Sequence, residues 1–469
     1  MKSFLPLLFL ALAGCSVTPP GSRIDAVKND APGRWAASPE AQAGIDTNWV
    51  GRIGGIRVSA MVSEALSANP DMRIAAERVN RAVASAATAG AEIRPQVSAG
   101  LDTSKSKQIF VGFPFGDGGV PSSISENFGA NLSVAWEPDV WGYRRAGQAA
   151  LIADAQAEGN VYRASRASLA AQVVRAWLAL AEANEQIALA RKSEGLLNST
   201  LEIVRDRFEN ALTDEGGSAS QVRLTESELA TNQALIAQYQ GSREQAIRQL
   251  EVLMGRYPQG AIQIADQLPG IPAMPPAGLP SELLLRRPDI LEAERRFALT
   301  GSLLKQGRLA FYPRFALTAR GGTTTDALRK IFNSDFGVWS LAGSLTQPIW
   351  AGGALRSEAK RLESEERSSL ARLQKTVLNA FGEVENAMLA DRFLAARESA
   401  INKALKAATE ATEAANDEYS GGTGDALTLI TTQANQIKLA SQVVTLRRLR
   451  LDNRITLHLA LGGDYKPSK

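Results

Sequence analysis

One cysteine and one histidine are all the thiol and imidazole this chain offers, and that narrows its chemistry. His458 stands on an apolar stretch near the C-terminus, with no second histidine to share a metal, so it reads as a packed ring rather than a catalyst. There is no cysteine pair, no glycine-rich phosphate loop and no Gly-x-Ser-x-Gly elbow. No group of side chains converges on catalysis, so the chain is not expected to be an enzyme or to need a cofactor or a resident metal. The formal charge of +3, from 52 basic and 49 acidic residues spread along the chain, leaves no basic face for nucleic acid. What remains is the Cys15 thiol, a group that can be acylated.

The surroundings of Cys15 support acylation. Lys2 precedes an apolar run over residues 4–13, too short to span a bilayer and in the charge-then-apolar order of a secretion signal. The run ends in Leu12-Ala13-Gly14-Cys15, which resembles the lipobox of bacterial lipoproteins, where the cysteine is diacylated and becomes the first residue. An unmodified cysteine beside an ordinary signal peptide is the plainer alternative. Acyl chains contribute about 0.8 kcal/mol per buried methylene, enough for an anchor without a transmembrane helix. Ser16 stands where such lipoproteins carry an inner-membrane-retaining aspartate, which favours the outer membrane. Residues 15–57, rich in Pro, Gly and Ser, then read as lipid anchor and extended tether.

The rest of the chain is written twice. Asn69-Pro70-Asp71 and Arg287-Pro288-Asp289 are each followed by a proline 25 residues after their own, Pro95 and Pro313, at an offset of 218. In the long helical stretches the offset becomes 211. Every seventh residue from Tyr162 is apolar (Leu169, Ala176, Ala183, Ala190, Leu197, Val204), as is every seventh from Leu373 (Ala380, Ala387, Leu394, Ile401, Ala408, Ala415), and the same 211 takes Phe208 to Tyr419. A Pro-rich segment, residues 258–280, reads as a linker between the halves 58–257 and 281–463, with 464–469 a short tail. Each half reads helix, strand, strand, long helix, turn, helix. Between Pro138 and Pro258, and between Pro348 and Pro467, there is no proline, so about 70 residues before each turn can run as one helix of roughly 100 Å. A sustained seven-residue period makes such a helix supercoil around a neighbour. Gly216-Gly217 and Gly421-Gly422 read as the helix-to-helix turns. Periodicity alone leaves an ordinary lipid-anchored periplasmic coiled coil, structural or adaptor in role, equally open.

The segments between helices separate the two readings. Val97, Ala99 and Leu101 interleave with Ser98, Gly100 and Asp102, and Leu132, Val134 and Trp136 with polar or small residues. The second half repeats this at Phe315, Leu317, Ala319 and at Trp339, Leu341, Leu345. Four strands in two hairpins are expected, each with one apolar and one polar face, as in a transmembrane barrel. Four strands cannot close a barrel, because about eight are needed to fill one and open edges are not viable in lipid. If these strands are transmembrane the chain must associate, three copies supplying twelve strands and twelve helices; two soluble β-hairpins packed on helices are the plainer alternative.

Leu279-Pro280-Ser281-Glu282-Leu283-Leu284-Leu285-Arg286-Arg287-Pro288-Asp289-Ile290, with Ala293-Glu294 and Phe311-Tyr312-Pro313 after it, closely resembles the mid-chain signature of TolC-like outer-membrane efflux factors of the lipoprotein (NodT) branch. The likeness runs from the lipobox to the closing Leu459-Ala460-Leu461-Gly462-Gly463. It implies a mainly α protein with a transmembrane β-barrel: a homotrimer whose 12-strand barrel continues into a 12-helix α-barrel, the exit duct of a tripartite efflux pump. It implies a periplasmic adaptor and an inner-membrane efflux transporter as partners, with Gly216, Gly217, Gly421 and Gly422 at tips facing the adaptor. It also implies a periplasmic gate of Leu427, Thr428 and Thr431. Positions matching the two threonines can hold aspartates in the family, so this chain departs from an acidic constriction there.

Overall fold

In a computed structural model the described residues are 32, 34–37, 48–111, 121–210, 218–264, 267–275, 278 and 280–463. Cys15, Gly216 and Gly217 lie outside them. The elements are α1 (Trp49–Ala68), α2 (Pro70–Ala91), β1 (Gln96–Ile109), β2 (Ser122–Trp136), α3 (Tyr143–Glu209), α4 (Ala219–Leu253), α5 (Pro280–Arg286), α6 (Pro288–Leu309), β3 (Arg314–Thr325), β4 (Gly337–Thr346), α7 (Ala354–Ser420) and α8 (Ala426–Ala460). Three helix pairs match in length across the duplication, α2 and α6 with 22 residues each, α3 and α7 with 67, and α4 and α8 with 35, while α1 has 20 and α5 has 7. Short 3₁₀ turns at Leu328–Lys330 and Ser334–Phe336 separate β3 from β4.

Contacts group the chain into two compact units, Met1–Glu77 with Gly159–Glu292 and Gln374–Lys469, and Arg78–Glu158 with Ala293–Leu373. In the first, Trp49, Val50, Ile53, Val58 and Val62 of α1 are buried with Val173, Val174, Leu178 and Leu180 of α3, Ile247 and Leu250 of α4, and Leu451 and Ile455 of α8. Burying a side chain of this size contributes about 1.5–3 kcal/mol. Trp49, Val50 and Ile53 are therefore packed, although they fall within the 15–57 stretch read as a tether. The helix breaks at Gly55, whose φ is 68°, and that glycine hid the first turns from a reading of periodicity. Further upstream Trp35 is buried, with its indole donating to the Gly278 carbonyl at 3.0 Å.

The heptad seams are buried along most of their length, with Tyr162, Leu394 and Ile401 only partly so. Leu169, Ala176, Ala183, Ala190, Leu197 and Val204 of α3, and Leu373, Ala380, Ala387, Ala408 and Ala415 of α7, are all buried. The Asn69-Pro70-Asp71 motif is a helix start. The Asn69 side chain accepts from the Asp71 amide at 2.8 Å and donates to the Leu253 carbonyl at 2.9 Å, while Pro70 occupies the first turn, where no amide is needed. Its repeat works differently. Arg287 donates to both Asp289 oxygens, at 3.0 and 2.7 Å, to the Ala460 carbonyl at 3.0 Å, and pairs with Glu383. The Pro-rich 258–280 is no loose spacer, because Asn184 donates to the Ile264 carbonyl, Glu185 accepts from the Leu268 amide, and Ile264 and Leu268 are buried.

Arginines flank α8 on two sides. Arg447 and Arg448 pair with Glu185 and Glu182 of α3, and Arg450 and Arg454 with Glu398 and Asp391 of α7. His458, in the last turn of α8, is buried and stacks on Trp49, with ring centroids 5.8 Å apart. It is the packed ring the sequence suggested.

The second unit holds the strands. The two expected hairpins, β1-β2 and β3-β4, are both present, and β2 also pairs with β3, so that all four strands form one antiparallel sheet in the order β1-β2-β3-β4. Alternation alone says nothing about which hairpins adjoin, and this pairing joins residues about 200 apart in sequence. Direct cross-strand partners share a face, so the register puts Val97, Val134, Ala319 and Leu341 in one row and Ala99, Leu132, Gly321 and Trp339 in the next. This apolar face is open in the single chain, with Trp339 83%, Leu101 75% and Leu341 74% exposed. The opposite face carries Ser98, Ser133, Arg320 and Ser340 in one row and Gly100, Asn131 and Gly322 in another. At the foot of the sheet the Trp136 and Trp141 indoles donate to the Ile93 and Pro313 carbonyls, at 3.0 and 2.8 Å.

Candidate functional site

The ends of the long helices gather the residues singled out as gate and tip. Each hairpin restarts with a side-chain cap. At the head of α4, Ser218 and Gln221 form a capping box, each side chain bonded to the other's amide. At the head of α8, the Asp425 carboxylate accepts from the Thr428 amide at 2.9 Å and from its hydroxyl at 2.7 Å. Each cap satisfies donors that the helix leaves unpaired. The Thr428 hydroxyl and amide hold the Asp425 carboxyl below its ordinary range, so it is ionised at neutral pH.

The turn between α7 and α8 is tight because its amides fold back onto α7. Gly421 donates to the Asp417 carbonyl, Gly422 to Tyr419, and both Thr423 and Gly424 to Glu418. Gly422 has φ 77°, the left-handed region that favours glycine. A Cβ on Gly424 would lie 3.0 Å from the Tyr419 nitrogen. Gly421 and Gly422 are exposed.

Beneath the turn lies a small core: Leu201 and Val204 of α3, Val222 of α4, Ala415 and Tyr419 of α7, and Ala426 and Leu429 of α8. Tyr419 is completely buried. Arg207 of α3 donates through Nη2 to the Tyr419 carbonyl at 2.8 Å, and its guanidinium lies 4.1 Å from the centre of the Tyr419 ring. Burial pushes the Tyr419 phenol up from its ordinary value, opposed by the Arg207 charge. Beside it, hydrogen bonds from Arg223 and then Arg205 hold the Glu226 carboxyl low.

Leu427, Thr428 and Thr431 are all exposed on the first turns of α8. The Thr428 hydroxyl is committed to Asp425. The Thr431 hydroxyl is committed to its own helix, donating to the Leu427 carbonyl at 2.8 Å and lying 3.1 Å from that of Thr428. Two members of this constellation, Arg207 and Asp425, had no part in the gate read from sequence. Asp425 had a signal: an aspartate just before an apolar-periodic run is a helix start. Arg207 had its place in Arg207-Phe208-Glu209-Asn210, a stretch that shares the family resemblance, and beside Phe208, the residue related to Tyr419 by the repeat.

Paired helical hairpins and an antiparallel sheet built from two copies of one sequence unit define the architecture of a TolC-like channel-tunnel. The solved structure of the outer-membrane channel OprN has the same fold, with a TM-score of 0.86 and 23% identity over 93% of this chain and 97% of that one. The sequence pattern of the outer membrane efflux protein family matches residues 61–256 and 279–463, and the chain belongs to that family. Among its relatives are the pyoverdine export outer membrane protein OpmQ of Pseudomonas putida, 27% identical over 98% of this chain and 97% of that protein. Another is the cation efflux system protein CusC of Escherichia coli, 26% identical over 97% of each. The protein is an outer-membrane efflux channel that extends into the periplasm, and channels of this kind are homotrimers that work with a periplasmic adaptor and an inner-membrane transporter.

Proposed function

We propose that three copies of this chain close a twelve-stranded barrel in the outer membrane and continue as a twelve-helix tube, and that this duct carries solutes passively from adaptor and transporter to the outside. The observation that carries the reading is the sheet. It exposes a row of large apolar side chains on one face, and its outer strands β1 and β4 are edges in the single chain. An open edge in lipid leaves backbone groups unsatisfied, each costing several kcal/mol, and closure with further copies removes it. A lipid-anchored periplasmic coiled coil would give the heptads but has no use for such a face.

In this reading residues 1–14 are a removed signal, Cys15 carries the lipid, 15–57 lead to the body, and 58–257 and 281–463 are the two repeats about the 258–280 segment. Leu427, Thr428 and Thr431 line the periplasmic closure, and Gly216, Gly217, Gly421 and Gly422 stand at tips facing the adaptor. The duct catalyses nothing and uses no cofactor, and energy comes from the inner-membrane pump. Relatives named for pyoverdine and for cations share this chain's full length, which supports cargo being chosen elsewhere than in the common fold. Native mass spectrometry of the detergent-extracted protein tests the assembly: three copies are expected, and a monomer or dimer at full occupancy would remove the closed barrel.

A further inference from the structure

The polar face of the sheet carries almost no charge. In the observed register it comprises the even-numbered residues of β1, β3 and β4 and the odd-numbered residues of β2. Along all four strands the charged members of that set are Asp102, Arg320 and Arg314. Arg314 begins β3, with its guanidinium 4.7 Å from the centre of the Tyr143 ring. The other two are partners. Arg320 Nη2 donates to Asp102 Oδ1 at 3.2 Å, and Asn131 Nδ2 donates to the same oxygen at 2.6 Å.

This pair does not join neighbouring strands. Asp102 is on β1 and Arg320 on β3, so the contact passes over β2. It can do so because of what β2 puts beneath it. Asp102 stands opposite Gly129, where a Cβ would come within 2.6 Å of its Oδ2, and Arg320 stands opposite Ser133, with Asn131 between as a third partner. Gly100 and Gly322 flank Asn131 in its row. Opposite charges two strands apart meet over a floor of glycine and small polar side chains. Both side chains remain 58% exposed, so the pair adds little to stability. Its consequence is electrostatic: each charge cancels the other's field at one level of the face.

Resting on the proposal that this face lines a closed barrel, we infer that the Asp102–Arg320 pair sets the charge selectivity of the barrel lumen by keeping that level neutral. Three copies place three such pairs in a ring. An unpaired ring of three carboxylates or three guanidiniums would concentrate ions of opposite sign along the duct. The neutral ring favours neither, and the lumen there passes organic solutes of either charge.

Reversal potentials of the purified channel in planar bilayers, under a salt gradient with the dilute side at about 0.01 M, where the Debye length is about 30 Å, test this. Arg320→Gln, which frees the carboxylates, is expected to shift the cation-to-anion permeability ratio toward cations by about threefold. Asp102→Asn is expected to shift it similarly toward anions. The double variant, and the exchange Asp102→Arg with Arg320→Asp, are both expected to return to the wild-type ratio, and the exchange keeps the pair should a single variant fail to assemble. Conducting variants that all share the wild-type ratio, or an exchange variant that departs from it, would overturn the inference. A wild-type trimer with no conductance would instead overturn the barrel reading on which it rests.

Discussion

Arg207 holds Tyr419 twice, through a 2.8 Å hydrogen bond to its carbonyl and by placing its guanidinium 4.1 Å from the ring centre. The two residues belong to the last turns of α3 and α7, so the contact ties the end of one repeat to the end of the other. A charged hydrogen bond and a cation–π contact at a half-buried site contribute on the order of 1–3 kcal/mol together. The hairpin ends cannot part without losing both.

Tyr419→Phe and Tyr419→Ala separate the ring from its hydroxyl. Among the described residues the buried hydroxyl has no partner in hydrogen-bond geometry, so Phe is expected to leave thermal stability unchanged or slightly raised, while Ala leaves a cavity costing about 3–5 kcal/mol. The pH dependence has a definite sign. With its phenol raised above the ordinary value of 10.0, the folded state holds the proton that the unfolded state releases. Stability is therefore unaffected below about pH 10 and falls as pH rises above it. Circular-dichroism melts between pH 8 and 11 should show that fall shrink in Tyr419→Phe. An identical fall in both proteins would place the titrating group elsewhere.

The buried end of the arginine ladder gives a second stability prediction. Arg454 and Asp391 pair at 3.2 Å with side chains only 5% and 11% exposed. Removing one partner from such a pair costs up to about 3–5 kcal/mol, less where a second partner remains, as Arg450 does for Asp391 at 4.0 Å, whereas replacing both by apolar residues can be nearly neutral. Arg454→Leu alone should sharply lower the melting temperature, and Arg454→Leu with Asp391→Leu should recover most of the loss. Additive losses in the double variant would show that the two residues do not act as a pair.

The duplicated plan was legible in the sequence because proline position and heptad period are imposed locally. The pairs Asn69-Pro70-Asp71 and Arg287-Pro288-Asp289 mark helix starts, and the heptads through Leu169 and Leu373 are buried along α3 and α7. The joining of β2 to β3 was not legible, since alternation fixes faces and not neighbours. The helical turns from Trp49 were not legible because Gly55 breaks their periodicity, nor was the Arg207–Tyr419 contact, whose partners lie 212 residues apart. Leu427, Thr428 and Thr431 stand exposed on one helix start, and the Asp425 carboxylate caps that same start.

That cap shapes what a cation meets at the tip. The Thr428 and Thr431 hydroxyls bond to Asp425 and to helix carbonyls, so neither offers a carboxylate ring. The cap itself is fully present above the ordinary aspartate value of 3.8 and is lost only as pH falls below it. At neutral pH, trivalent cations added from the periplasmic side should block the wild-type channel weakly, and Thr431→Asp should tighten block by about tenfold or more. Potent block of the wild type, abolished by Asp425→Asn, would move the acidic ring to Asp425.

Cys15 lies outside the described residues, and its acylation rests on the motif before it. Cys15→Ser should abolish incorporation of labelled palmitate while leaving the protein in the outer membrane, because the barrel proposed above would be an anchor of its own. Labelling of the variant at the wild-type level would remove the assignment.

Conductance is the most direct measure of the account as a whole. Purified trimers added to one side of a planar lipid bilayer are expected to insert as discrete, uniform steps, and Arg207→Ala, which frees the end of α3 from the end of α7, is expected to raise the size of each step. Trimers shown to have inserted, yet passing no current in either the wild type or Arg207→Ala, would contradict the claim that this chain builds a duct.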